Sequence, residues 1–69
     1  MGMPEPYVHI SAARKVAEAD MDSEAKRFAV MDLLNKAMDA LDEYKGSDFD
    51  IVRAVVCKQV GDLQRMCDI

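Results

Sequence analysis

Tryptophan and threonine are both missing from this chain, and glycine, proline and histidine are scarce, at three, two and one in 69 residues. An all-β domain needs turn residues and β-branched or aromatic strand formers in quantity, so that class is disfavoured at the outset. Basic charge is also in short supply. Nine Lys and Arg against thirteen Asp and Glu leave a formal charge of -4 and a pI near 4.7. Nucleic acids and anionic lipid surfaces attract basic patches, so no nucleic-acid partner is expected, and membranes would be reached only through partner proteins. Apolar runs of about 18 residues, the length that spans a bilayer, are absent too. The opening Met-Gly-Met-Pro-Glu-Pro has neither a basic n-region nor an apolar h-region, and Pro6 stands where a myristoylation motif asks for Ser or Thr. A cytoplasmic location is the expectation.

Catalytic chemistry is equally thin. Nucleophilic catalysis needs a Ser, Cys or Thr beside a base, and the one histidine, His9, lies near the N-terminus, away from most of the chain. Asp20, Asp22 and Glu24 suggest a calcium loop. Counted from Asp20, however, the sixth and twelfth positions, which an EF-hand fills with Gly and Glu, hold Ala25 and Met31. Cys57 and Cys67 lie roughly 15 Å apart if they share a helix, too far for a disulfide, whose Cα atoms lie within about 7 Å. One histidine and two cysteines also fall short of a four-ligand zinc site. We therefore expect no enzyme, metal or cofactor, and two reduced thiols serving as small apolar side chains.

What remains is a 51% hydrophobic chain of good helix formers, long enough for a single domain. Residues 1–6 form a Pro-punctuated lead-in, and 7–69 a single all-α, three-helix up-down-up bundle with helices near 7–21, 23–45 and 48–67. The first helix is rich in Ala on its buried side and should approach its neighbours closely. Asp22 or Ser23 is the expected N-cap of the second. Lys45 and Gly46 should end that helix, with Gly46 in the left-handed C′ position. Ser47 with Asp50 resembles a capping box for the third. A strand over 51–57 is the competing reading of its β-branched residues, but no second strand exists to pair with it.

The second helix carries two apolar stripes, Phe28, Met31, Leu34, Met38 and Leu41 beside Val30, Leu33, Ala37, Ala40 and Tyr44. Two stripes imply two neighbours, or one neighbour and a partner. On the third helix the expected apolar face is Phe49, Val52, Val55 or Val56, Leu63 and Met66, with Ile51, Cys57 and Val60 as a surplus. That surplus either packs in the core or helps form a groove for an outside helix. Gly61 is either tolerated drift near the chain end or a place where a partner backbone comes close.

The order of these residues resembles the MIT (microtubule-interacting and transport) domain, a three-helix module of endosomal-sorting proteins, over Tyr7 to Cys67. Val30, Leu33, Leu34, Ala37 and Leu41 look like its second helix, and Val55-Val56, Lys58 and Leu63-Gln64-Arg65 like its third. Departures occur at Arg27 and Leu34, where the family holds Tyr, and at Gln64 and Cys67, where it holds acids. The resemblance implies protein transport and endosomal sorting, with a short amphipathic helical tail of an ESCRT-III-like partner bound between helices two and three. Leu34, Ala37, Met38 and Leu41 would form one wall and Val56, Val60, Leu63 and Met66 the other, with Asp62 and Asp68 as the nearby acids. Leu63 would sit at the mouth, where Leu63→Asp is expected to abolish binding and spare the fold. The alternative is a small helical protein that self-associates, as a homodimer or assembly unit.

Overall fold

The computed structural model describes residues 4–68. The lead-in Met1–Met3, with its Gly2, and the final Ile69 lie outside the described residues. Three helices run in order, α1 (Glu5–Glu18), α2 (Ser23–Glu43) and α3 (Phe49–Met66), and no strand occurs among the described residues. Each helix packs against the other two, so the all-α three-helix bundle is the fold.

The helix ends correct several expectations. α1 begins two residues earlier than Tyr7, with Pro4 as N-cap and Pro6 inside the first turn. The first N–H groups of a helix have no internal partner, so a proline there sacrifices nothing. α1 also stops early, because Ala19 turns to extended backbone (ψ 153°) while its N–H donates to the Val16 carbonyl. Asp22 is the N-cap of α2, yet its carboxylate makes no capping hydrogen bond.

The expected capping box of Ser47 and Asp50 does not form. Asp48 is the N-cap of α3, and its side chain accepts a 2.5 Å hydrogen bond from the Tyr44 hydroxyl instead of an N–H of its own helix. Gly46 does not take the left-handed conformation. Its value is space, since a Cβ there would overlap the Tyr44 ring and hydroxyl and lie 2.8 Å from Asp48 Oδ1. The left-handed turn occurs instead after α3, at Asp68 (φ 56°), whose N–H donates to the Arg65 carbonyl. Aspartate is one of the few side chains that tolerate that region.

Packing is closest between α1 and α2, as small side chains allow. Ala13 and Ala37 are fully buried there, and Ala17 packs against the same core. α3 adds Val52, Val56 and Leu63, with Cys67 just past its end, while Ile10, Val30, Leu34 and Leu41 complete the interior. Along α2 the buried residues are Val30, Leu34, Ala37 and Leu41, one stripe at helical spacing drawn from both of the stripes read in the sequence. At one end of the α2–α3 pair Tyr44 stacks on Phe49, with ring centroids 6.5 Å apart. At the other end Arg27 faces Asp68 at 4.0 Å, so the two helices run antiparallel over their full length.

Candidate functional site

Of the nine residues expected to line a groove between α2 and α3, five are committed to the core. Leu34, Ala37, Leu41, Val56 and Leu63 are buried, Leu63 completely. Val60 and Asp62 are half-buried, and only Met38 and Met66 are exposed. Leu63 is therefore not at a groove mouth. The helical period that turns it toward α2 also places it beneath α1 and α2, where it is among the largest fully enclosed side chains. Asp62 is held by Arg65, one turn along the same helix, at 2.8 Å.

The open cleft lies between α1 and α3. Tyr7, Ile10, Ser11 and Arg14 form its α1 wall, Val55 and Gln59 its α3 wall, and its volume is about 500 Å³. Tyr7, Ile10 and Val55 supply apolar surface, and Ile51, one turn before Val55, is 67% exposed at the same end. The Arg14 guanidinium donates to the Gln59 side-chain carbonyl across the cleft, the one side-chain hydrogen bond between α1 and α3 among the described residues. Both partners are polar groups at the solvent edge, so an incoming carboxylate competes for the same guanidinium at little cost. A second hollow of about 260 Å³, lined by Asp50, Arg53, Ala54 and Cys57, belongs to α3 alone and lacks an opposing wall.

Sequence reasoning centred on the α2–α3 seam and did not single out this one. Its open choice of Val55 or Val56 for the α3 face resolves with Val56 inside and Val55 outside, and Tyr7 lies in the first turn of α1. The bridge from Arg14 to Gln59 has no local signature, because it joins helices distant in the chain.

His9 is half-buried and lies 3.9 Å from Glu5, one turn before it. Lys36 pairs with Asp32 at 3.2 Å on the open side of α2. The Tyr44 pKa is raised above its ordinary range, first by the hydrogen bond to Asp48 and then by burial. Both cysteines are free, Cys57 exposed and Cys67 buried. No group of three or more His, Cys, Asp or Glu among the described residues is placed to hold a metal ion. Among the described residues, no helix is long and apolar enough to cross a membrane.

Comparison with family models, with curated proteins and with solved structures finds no match for this chain. The likeness to MIT domains therefore stands on the residues quoted for it alone.

Proposed function

We propose that this chain is a non-catalytic interaction module that docks an amphipathic helix of another protein. The observation that carries the reading is the open α1–α3 cleft, with apolar walls from Tyr7, Ile10 and Val55 and a guanidinium at its edge. A cleft between parallel helices accepts a third helix by taking its large apolar side chains, while a charge on the rim sets register. An acid on the guest, one turn from its leucines, would displace Gln59 from Arg14. An ESCRT-III-like tail in the cytoplasm is the partner class that the MIT-like order of residues supports. The docking seam proposed is α1–α3 rather than α2–α3, because most of the expected α2–α3 residues are buried in the core.

The test is a titration of the chain with a labelled Leu-rich amphipathic tail peptide, followed by amide chemical shifts. Saturable binding is expected, with the largest shifts at Tyr7, Arg14, Val55 and Gln59. Val55 is partly exposed, so Val55→Asp should abolish binding and leave the circular dichroism of the free chain unchanged. Binding that survives Val55→Asp, or shifts confined to Met38, Val60 and Met66, would refute the α1–α3 site. Absence of binding at millimolar peptide would refute the helix-docking reading altogether.

Self-association is the second reading, and it has a separate observation behind it, the apolar residues left open along α2.

A further inference from the structure

Flanking the buried stripe of α2, and centred about 100° around the helix from it, Arg27, Phe28, Met31, Asn35, Met38 and Asp42 fall within an arc of about 100° at helical spacing. All six are exposed, Phe28 at 67% and Met31 at 43%. Exposure of large apolar side chains in a row, rather than singly, marks a contact surface. The order of residues along this face states what covers it. Met31 and Met38 lie at equal distances on either side of a point between Leu34 and Asn35. Arg27 and Asp42 lie symmetrically about the same point, one basic and one acidic, about 22 Å apart along the axis.

A twofold axis through that point sets α2 against a second α2 running in the opposite direction. Each Met31 then meets the other copy's Met38, and each Arg27 meets the other copy's Asp42. The two Asn35 side chains flank the axis, where an amide donates and accepts at once. Glu24, in the first turn, would lie opposite Lys45, just past the helix end. Among the described residues, Glu24, Asp42 and Lys45 have no ion pair within the chain, and Arg27 has only the 4.0 Å contact with Asp68. A parallel arrangement would instead set Arg27 against Arg27 and Asp42 against Asp42.

We infer that a second copy of this chain covers the Phe28–Met31–Met38 face in an antiparallel, twofold α2–α2 dimer held in register by reciprocal Arg27–Asp42 pairs. Isologous closure follows, because each copy supplies both halves of the same patch. The α1–α3 cleft takes no part in it, so the dimer neither requires nor excludes helix docking there. A contact of one helix with another covers less than the about 1,600 Å² of a standard interface, so the dimer is weak and must be sought up to about 1 mM chain.

The experiment is sedimentation equilibrium on the full chain and on two charge variants, alone and mixed. The wild type should show a monomer–dimer equilibrium. Arg27→Glu and Asp42→Arg each place like charges at both ends of the contact, so each alone should weaken the dimer by at least about tenfold. An equimolar mixture of the two variants pairs the introduced Glu with the introduced Arg at one end and the native Asp42 with the native Arg27 at the other, and should recover near-wild-type affinity. Asp42 has no partner within the chain, so Asp42→Arg separates the interface from the Arg27–Asp68 contact, and circular dichroism confirms that both variants stay folded. A wild type that is monomeric at about 1 mM would overturn the inference, as would a mixture that associates no better than its components.

Discussion

Along α2, Val30, Leu34, Ala37 and Leu41 are sealed inside the bundle, whereas Phe28, Met31 and Met38, no less apolar, stand in solvent. The inner residues are small or branched and recur at i, i+4, i+7 and i+11, the spacing that keeps one line of contact with α1 and α3. The outer ones are long and mostly unbranched, and Met in particular adapts to whatever lies against it. The inner stripe holds the fold together by close fit. The outer stripe contributes little to the isolated chain, and a second copy covering it is what the dimer proposed above would supply.

The sharpest way to break this comparison is to charge the interior. Leu63→Asp would leave a carboxylate in a fully enclosed site without a hydrogen-bond partner, at a cost of several kcal/mol. A domain of this size has a total stability of only about 3–10 kcal/mol. The variant should therefore lose its helical circular dichroism at 25 °C. On α2 itself, Leu34→Ala should cost about 2–5 kcal/mol in urea denaturation, against less than about 0.5 kcal/mol for Phe28→Ala at low chain concentration. Equal costs for the two would mean that the outer stripe is packed after all.

The two described glycines make a smaller contrast of the same kind. A Cβ at Gly61 meets nothing within 4 Å, and the residue is inside α3, so Gly61→Ala should stabilise the chain by about 0.5–1 kcal/mol. Gly46 is bracketed by Tyr44 and Asp48, so Gly46→Ala should force their hydrogen bond apart and destabilise by about 1 kcal/mol. Opposite signs in thermal melts are the expected result. Matching signs would show that space around the glycine does not decide the outcome.

The smallest effect concerns pH. The folded state raises the Tyr44 pKa above its ordinary value of 10.0, chiefly through the hydroxyl donated to Asp48. A raised pKa favours the protonated form, so the contribution is complete below pH 10 and disappears as the pH climbs past it. Tyr44→Phe keeps the stack on Phe49 and removes the donor. Its melting temperature should fall less steeply with alkaline pH than that of the wild type.

Much of the fold was legible because helix formation is governed by nearby residues. The scarcity of turn formers, the 3.6-residue spacing of apolar side chains and the Asp-rich and Gly-containing breaks delimit three helices to within a few residues of α1, α2 and α3. The distance between Cys57 and Cys67 on one helix likewise follows from rise per residue, and both thiols are free. The helix ends were less legible. Asp48 has a choice between its own backbone and Tyr44, and Gly46 between a left-handed turn and plain room, and each choice depends on a side chain from the adjoining turn.

By itself, then, the sequence determined that this is an all-α chain, and how many apolar stripes its helices carry, because both depend on spacing along one helix. Which stripe goes inside was decided only in three dimensions. Val30 and Met31 are neighbours in the chain and equally able to face a core, and it is the crossing of α1 and α3 over α2 that buries one and exposes the other. The same packing sealed Leu34, Ala37, Leu41, Val56 and Leu63 away from any partner, and left the cleft open on the opposite seam, between Arg14 and Gln59. Apolar burial is non-directional, and so the sequence supplies candidates for the core while tertiary packing selects among them.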